Sequence, residues 1–272
     1  MLFTDTELEI INHLVSVCYF DVDDTLQPMK VHDEDSYLRG IKLCRYFVHL
    51  SKERKFPPIC LVSGRGDTYL ESFGFTIGDQ KQDLPRISEG GALIKMKGRR
   101  PEINPAISQE ALRALQEVRA RIPSILRACP GFYRYEGKTM CETFESDANS
   151  PMSIAQAREK IEREILADLL TRGIQVGNSS IAVDIVLTDK LTGILQHCKL
   201  EGWDPQRILF GGDSGSDVGP MQYDTYGIAP ATHSTAIAKA VQEKGSHGLS
   251  ADPLGSCTEE TAVALATLLR SH

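Results

Sequence analysis

The chain has 272 residues, of which 41% are hydrophobic and 25% are charged, and its formal net charge is −7. This length accommodates one large domain or two ordinary ones, and the composition is typical of a soluble globular protein. The negative charge argues against a dominant nucleic-acid surface, and no stretch reaches the ~18 apolar residues of a membrane helix. We therefore expect neither a nucleic acid nor a membrane as partner, and the sequence leaves the oligomeric state open.

The N-terminal segment and the cysteines indicate the compartment. The segment MLFTDTELEIINHLVS carries acidic residues and no basic run before an apolar core, unlike a signal or transit peptide. The seven cysteines are scattered and include no Cys-x-x-Cys pair. Together these features predict reduced, buried thiols in a cytoplasmic protein and argue against a zinc site.

Strand-like and helix-like patterns alternate through the first third of the chain. An apolar run rich in β-formers, residues 16–22, predicts a buried strand that ends in an acidic turn. Apolar residues at helical spacing follow over 34–53, and residues 57–64 predict a second strand that ends in Ser-Gly. The short helix after it is expected to end at Gly74, and residues 86–96 predict a strand pair or a bend.

The middle of the chain has a different pattern. Residues 108–129 predict an amphipathic helix that Pro123 is expected to kink or end. Residues 132–146 predict a hairpin, and 153–173 predict one long helix. We therefore interpret residues 89–184 as an inserted domain of hairpin strands and long helices.

The alternation resumes after the insertion. The predicted strands cover 179–188, 207–213 and 226–230, and the predicted helices cover 189–202, 233–245 and 258–271. This pattern predicts an α/β fold with a doubly wound, mostly parallel Rossmann-like sheet. The chain would then comprise a core of residues 1–88 and 185–272 and an inserted α+β domain of 89–184.

Polar groups follow four of the predicted strands. They are Asp21-Val22-Asp23-Asp24-Thr25, Ser63-Gly64-Arg65, Thr188-Asp189-Lys190, and the run from Gly212 to Asp217. In open α/β sheets, ligands bind beyond the carboxyl ends of the strands. We therefore expect these four groups to converge on one site.

The acidic members of this set indicate a metal. Buried together, Asp21, Asp23, Asp213 and Asp217 would be stable only if they were protonated or neutralised by a cation. A set of oxygen ligands with no nearby His or Cys pair favours Mg²⁺ over zinc.

The other members of the set suit a phosphate. Ser63 offers a hydroxyl, Gly64 an accessible backbone N–H and Lys190 an ammonium group. Mg²⁺ and a lysine around a phosphate stabilise a transferring phosphoryl group, and an aspartate can serve as the nucleophile that forms an aspartyl phosphate.

DVDDT, SGR, a lysine that opens a helix and GGDSGSD, in this order, resemble the four motifs of the haloacid dehalogenase (HAD) superfamily of phosphohydrolases. The insertion between the second and third motifs, entered through ISEGGALI, resembles the α/β cap of the sugar-phosphatase branch, which includes Cof-type and sucrose-phosphate phosphatases. The resemblance covers nearly the whole chain from residue 16 onward.

The resemblance implies a role for each motif. Asp21 would be the nucleophile, and Asp23 would be the general acid for the leaving oxygen and then the general base for water. Mg²⁺ would be held by the Asp21 carboxylate, the Asp23 backbone carbonyl and Asp213, with Asp217 nearby or bound through water. The phosphate would be held by Ser63, Gly64 and Lys190, whereas Asp24 has no implied catalytic role.

The implied function is a Mg²⁺-dependent phosphomonoester hydrolase that acts on a small phosphorylated metabolite, such as a sugar phosphate, through an aspartyl phosphate. Candidate substrate contacts are Arg65, Arg134, Lys138 and Asp184. Two alternatives remain. A phosphosugar mutase or phosphotransferase would return the phosphoryl group to a sugar, and a phospho-aspartate signalling module would keep it on the aspartate.

Overall fold

The computed structural model describes residues 3–29, 33–78, 83–223, 225–254 and 256–271. The α-helices are α1 (Asp5–Leu14), α2 (Glu34–Lys52), α3 (Asp67–Ile77), α4 (Gln109–Ala128), α5 (Ile154–Lys160), α6 (Lys190–Glu201), α7 (Val218–Gln222), α8 (Thr235–Glu243) and α9 (Cys257–Arg270). The strands are β1 (Val17–Asp21), β2 (Ile59–Val62), β3 (Arg86–Ser88), β4 (Leu93–Lys95), β5 (Glu102–Ile103), β6 (Phe132–Tyr135), β7 (Glu142–Ser146), β8 (Gln175–Asn178), β9 (Ala182–Val186), β10 (Ile208–Gly211), β11 (Tyr226–Ala229) and β12 (Gly248–Ser250).

The larger of the two sheets has the order β12-β11-β10-β1-β2-β3-β4-β5. Every pair from β12 to β3 is parallel, and β4 and β5 extend the sheet in antiparallel fashion. β1 lies at the centre and all five of its residues are buried, as its apolar sequence predicts. The predicted doubly wound, mostly parallel core is confirmed.

Helices cover both faces of this sheet. Cys18 and Phe20 of β1 pack into a cluster with α1, α2, α3 and α9, whereas Val17 and Tyr19 pack on the other face with α6, α7 and α8. The alternation follows from the period of two of a β-strand. It places Asp21 on the same face as Val17 and Tyr19, where α6 begins.

The smaller sheet has the order β6-β7-β9-β8 and is wholly antiparallel. One face packs with α4 and α5 around a separate hydrophobic cluster that includes Phe144, Val183 and Ile185. We call this sheet and its helices the cap. The domain bounds at 88/89 and 184/185 stay a prediction. The strand pairing places β4 and β5 on the core sheet, although both lie inside the predicted insertion.

The helix predicted over 108–129 is α4. Of the two outcomes predicted at Pro123, an end of the helix is wrong, because α4 continues through this exposed residue to Ala128 and buried Ile125 packs on the cap core. The single helix predicted over 153–173 is α5 followed by a π-helical turn, Ile161–Ile165, and a 3₁₀ turn. The wider turn accompanies the burial of Ile161 and Leu166 in the cap core. Packing of this kind cannot be predicted from the helix propensities of the residues.

In the core, α3 also runs past its predicted end at Gly74, because this glycine is buried within the helix and the chain leaves it only at Gly78. All seven cysteines are free and buried, which confirms the prediction for the thiols. Among the described helices, none has the length and apolar character that spanning a membrane requires.

Candidate active site

Asp21 is the last residue of the central strand, and its carboxylate lies on the face that α6 covers. The residue is only 5% exposed. The first residue of α6 is Lys190, itself 3% exposed, and its Nζ lies 2.9 Å from Asp21 Oδ1. Asp189 caps α6 by accepting a hydrogen bond from the Thr192 N–H at 2.8 Å, so the helix begins where its lysine meets the strand end.

Asp217 is the second partner of Lys190. Lys190 Nζ donates to Asp217 Oδ1 at 2.6 Å, and Asp217 is fully buried. Asp217 Oδ2 accepts from the N–H groups of Asp213 and Ser214 at 3.3 and 3.0 Å. A Cβ on Gly212 would lie 2.7 Å from Asp217 Cγ, so the turn after β10 brings this carboxylate close only because residue 212 is glycine.

Asp213 completes the acidic group beside Asp21. Its Oδ1 accepts a hydrogen bond from Thr25 Oγ1 at 3.1 Å, which connects the turns after β1 and β10. Carboxylate oxygens of Asp21, Asp213 and Asp217 lie within 4.8 Å of one another. The predicted convergence of the first, third and fourth motifs is therefore what the structure shows.

This acidic group has the charge and donor types that suit a divalent cation. Three carboxylates face one ammonium group, which leaves two negative charges when all are ionised. Burial and the neighbouring Asp217 raise the pKa of Asp213 to about 7. Burial and Asp217 also raise the pKa of Asp21, although Lys190 opposes this change. The buried carboxylates therefore carry more negative charge than Lys190 offsets, and a divalent cation bound by their oxygens would supply the missing positive charge.

The second motif lies next to the first. Val62 pairs with Asp21 in the sheet, so Ser63 and Gly64 follow directly beside the turn after β1. Ser63 is buried, and its Oγ accepts a hydrogen bond from the Arg65 N–H at 3.1 Å. Gly64 is exposed, and a Cβ at this position would have no atom within 4 Å. Their predicted role in phosphate binding stays a prediction.

Asp23 has a different environment from the other acids. Its carboxylate is not part of the group formed by the other three acids. It accepts hydrogen bonds from Arg65 Nε at 2.9 Å and from the Tyr69 hydroxyl at 2.7 Å. Burial and the hydrogen bond to Asp23 raise the pKa of Tyr69, so the phenol is protonated and donates. Sequence reasoning missed Tyr69, because a tyrosine in the first turn of a helix belongs to none of the motifs.

The structure separates the predicted substrate contacts of the cap. Lys138 Nζ donates to Thr143 Oγ1 at 2.7 Å and lies 3.3 Å from Asp184 Oδ1. Thr143 pairs with Asp184, and both point away from the hydrophobic side of the cap sheet. Arg134 is not with them. It forms an ion pair with the buried Glu142 at 2.7 Å on the opposite face, which favours a structural role for Arg134.

Two contacts join the cap to the core beside these groups. A Cβ on Gly66 would lie 2.2 Å from the carbonyl oxygen of Gly137, so the hairpin loop of the cap packs directly on the second motif. The buried carboxylate of Glu89 accepts hydrogen bonds from the N–H groups of Thr139, at 2.9 Å, and Met140, at 2.5 Å. The loop that carries Lys138 is therefore bonded to the core.

Comparisons with solved structures identify the same fold in sugar phosphatases of the HAD superfamily. The chain is 16% identical to a sucrose-phosphatase from Synechocystis sp. PCC6803, solved with sucrose and phosphate, with a TM-score of 0.62. That match covers 93% of this chain and 97% of the other. The C-terminal domain of a trehalose-6-phosphate phosphatase from C. albicans matches at 16% identity and a TM-score of 0.60, with 97% and 95% covered.

A further match is the HAD subclass IIB sugar phosphatase BT4131, at 14% identity and a TM-score of 0.55, with 83% of this chain and 91% of that chain covered. No family model and no curated protein matches the sequence. At these identities the comparisons establish that the chain has the core-and-cap fold of HAD sugar phosphatases, in agreement with the resemblance of its motifs.

Proposed function

We propose that the protein is a Mg²⁺-dependent phosphatase that hydrolyses a phosphomonoester of a small metabolite, in the class of sugar phosphates, through an aspartyl phosphate. The observation that carries the proposal is the buried group of Asp21, Asp213, Asp217 and Lys190 at the carboxyl ends of the central strands. A phosphate at this edge of the sheet would meet a carboxylate nucleophile, an ammonium group and the exposed Gly64.

In the first step, a carboxylate oxygen of Asp21 attacks phosphorus, and the bond from phosphorus to the leaving oxygen breaks with its electron pair on that oxygen. The proton of the Asp23 carboxyl group moves to the leaving oxygen, which departs as an alcohol. In the second step, water attacks phosphorus and the bond to Asp21 breaks. The released proton of water moves to the Asp23 carboxylate, which restores both residues.

The chain's own residues assist both steps. Lys190 offsets the charge of Asp21 in the resting site and would face the phosphoryl oxygens as negative charge moves to them. Mg²⁺, held by Asp21 and Asp213 with the Asp23 carbonyl and with Asp217 nearby, would supply further positive charge at the phosphoryl group. Asp23 is held by Arg65 and Tyr69, and its carboxylate lies outside this charge cluster.

The substrate class is supported by the cap and by the proteins that share the fold. Lys138, Thr143 and Asp184 offer one cation, one hydroxyl and one carboxylate within a few ångströms, a set that suits sugar hydroxyls. The solved structures of similar fold include a sucrose-phosphatase with sucrose and phosphate bound and two trehalose-6-phosphate phosphatases.

The test is phosphate release from a panel of sugar phosphates and short phosphorylated acids, with Mg²⁺ and with EDTA. We expect Mg²⁺-dependent release with the wild-type protein. Asp21→Asn should lower the rate by about 10⁴-fold or more, because the nucleophile is lost. Asp24→Asn is the matched control, since Asp24 accepts a hydrogen bond from the Met29 N–H and has no role in the mechanism.

Three outcomes would contradict the proposal. Full activity of Asp21→Asn would exclude the nucleophile. A phosphate ester that is isomerised without release of phosphate would indicate a mutase. A stable phosphorylated Asp21 without turnover would indicate a signalling module.

A further inference from the structure

We infer that Tyr69 is a positioning residue for Asp23: its hydroxyl holds the proton-carrying carboxylate in place, and this matters most for poor leaving groups. The inference rests on the proposed phosphatase function and extends it to a residue outside the four motifs. It concerns the step in which the bond from phosphorus to the leaving oxygen breaks and the Asp23 proton moves to that oxygen.

The Asp23 carboxylate is held from two sides, with one hydrogen-bond donor at each oxygen. Tyr69 OH donates to Oδ1 at 2.7 Å, and Arg65 Nε donates to Oδ2 at 2.9 Å. The Arg65 guanidinium carbon lies 5.4 Å from the centre of the Tyr69 ring, so the two donors also contact each other. Each carboxylate oxygen accepts one hydrogen bond and keeps a second lone pair for the transferred proton.

Tyr69 is well placed to hold this geometry. It lies in the first turn of α3 and packs against the hydrophobic cluster that contains Cys18 and Phe20 of β1. It also follows Gly66, which contacts the cap loop. A tyrosine on a packed helix presents its hydroxyl with little rotameric freedom, whereas the arginine side chain is longer and more flexible. Loss of the hydroxyl would therefore leave Asp23 held on one side only.

A comparison of two substrates with different leaving groups distinguishes this positioning role from substrate binding or a purely structural role. An alkoxide leaves poorly and needs its proton during bond cleavage, whereas p-nitrophenolate leaves well without one. For Tyr69→Phe we expect kcat/KM to fall by about 10- to 100-fold on β-glycerophosphate and by less than about 3-fold on p-nitrophenyl phosphate. The first loss is smaller than the roughly 10²- to 10⁴-fold of general acid catalysis as a whole, because Asp23 itself is retained. The ratio between the two substrates is independent of the amount of folded enzyme.

The matched control is Tyr133→Phe. The Tyr133 hydroxyl also donates to a carboxylate at 2.7 Å, Glu145 Oε2, but on an exposed part of the cap. We expect this variant to leave the ratio of the two kcat/KM values unchanged. A second readout is a double-mutant cycle with phenyl phosphate, in which Tyr69→Phe should have no further effect once Asp23→Asn is present.

Equal losses on both substrates would overturn the inference, because a substrate contact or a purely structural role lowers both alike. Unchanged rates, or an undiminished effect of Tyr69→Phe in the Asp23→Asn background, would also overturn it. Asp21→Asn separates the two claims. If wild-type release does not depend on Asp21, the phosphatase proposal fails. If it does and the substrate ratio is unaffected in Tyr69→Phe, only the role of Tyr69 fails.

Discussion

The core and the cap each carry a lysine paired with carboxylates, but the two groups differ in charge balance. In the core, Lys190 faces Asp21 and Asp217 at 2.9 and 2.6 Å, with Asp213 alongside, and the group is almost wholly removed from solvent. In the cap, Lys138 pairs with one carboxylate among the described residues, that of Asp184, at 3.3 Å. The core group is therefore short of positive charge and suits a cation and a phosphate, whereas the cap group is balanced and suits neutral hydroxyls.

The largest expected effect comes from removing the lysine of the core group. Lys190→Met leaves two buried carboxylates without their counter-charge, so we expect the free energy of unfolding to fall by about 3–5 kcal/mol in metal-free buffer. Lys138→Met is the matched change in the cap and should cost about 1 kcal/mol or less, since the balanced pair is partly exposed. Urea denaturation measures both values, and equal losses would remove the distinction between the two groups.

Mg²⁺ should stabilise the protein through the core group alone. At a concentration about 100 times its Kd, a ligand that binds only the folded state adds about 2.7 kcal/mol to the free energy of unfolding. We expect Asp213→Asn to abolish most of this gain, because it removes a carboxylate from the group of three. Asp184→Asn removes a carboxylate from the cap and should leave the gain intact. Thermal unfolding with MgCl₂ and with EDTA provides the measurement.

The core was predictable from the sequence, because each of its elements carries a local signal. A few residues are enough to predict each element: an apolar run for β1, a capping residue for the start of α6, and glycines for the turn before Asp217. Parallel strands then bring their carboxyl ends to one edge, so motifs far apart in sequence meet without further information. For this reason the approach of Asp21 to Asp217 followed from order alone. For Lys190 the prediction was wrong in one respect, because the strand before it, β9, pairs antiparallel in the cap sheet, and the lysine reaches Asp21 as the first residue of α6.

The cap contacts and Tyr69 were not predictable in this way. Which face of the cap sheet Arg134 occupies depends on strand register, and a shift of one residue would exchange the two faces. Lys138 lies in the loop between β6 and β7, whose conformation the sequence does not specify. Tyr69 reaches Asp23 through the angle at which α3 packs, which no local pattern encodes. The same holds for Glu89, whose partners lie 50 residues further along the chain.

Glu89 tests whether the cap loop is held by the core. Its carboxylate is buried and accepts hydrogen bonds from the N–H groups of Thr139 and Met140. Glu89→Gln retains one acceptor oxygen and adds a donor beside these N–H groups, so we expect a loss of about 2 kcal/mol in the free energy of unfolding. Hydrogen exchange of the two amides should accelerate. Glu145→Gln, a more exposed carboxylate in the cap, is the control, and equal exchange rates in all three proteins would contradict the anchor.

His197 is a second buried base on α6, and no carboxylate of the described residues forms an ion pair with it, unlike Lys190. Burial lowers the pKa of His197 to about 4, and its Nδ1 lies 3.0 Å from the Tyr19 hydroxyl. The unfolded chain, with an ordinary pKa of about 6.5, binds more protons below that pH, so stability falls as the pH drops from 6.5 towards 4. This group alone should cost about 2 kcal/mol between pH 7 and pH 5.

Urea denaturation at the two pH values tests this assignment. His197→Gln should lose less stability on acidification than the wild type, whereas His49→Gln, at an exposed position beside Glu53, should behave like the wild type. An identical loss in wild type and His197→Gln would show that this buried imidazole does not titrate as proposed.

The smallest effect is expected from the cap lysine on catalysis, and it depends on the hydroxyl groups of the leaving group rather than on its acidity. Lys138→Met removes the cation that contacts Thr143 and Asp184, so kcat/KM for a sugar phosphate that the wild type hydrolyses should fall by about 10-fold, or about 1.4 kcal/mol. Hydrolysis of p-nitrophenyl phosphate, which has no sugar hydroxyls, should be unchanged. Arg134→Met is the control, because Arg134 faces Glu142 on the other side of the sheet. If Arg134→Met lowered the sugar-phosphate rate and Lys138→Met did not, the face of the cap sheet that meets the substrate would be the opposite one.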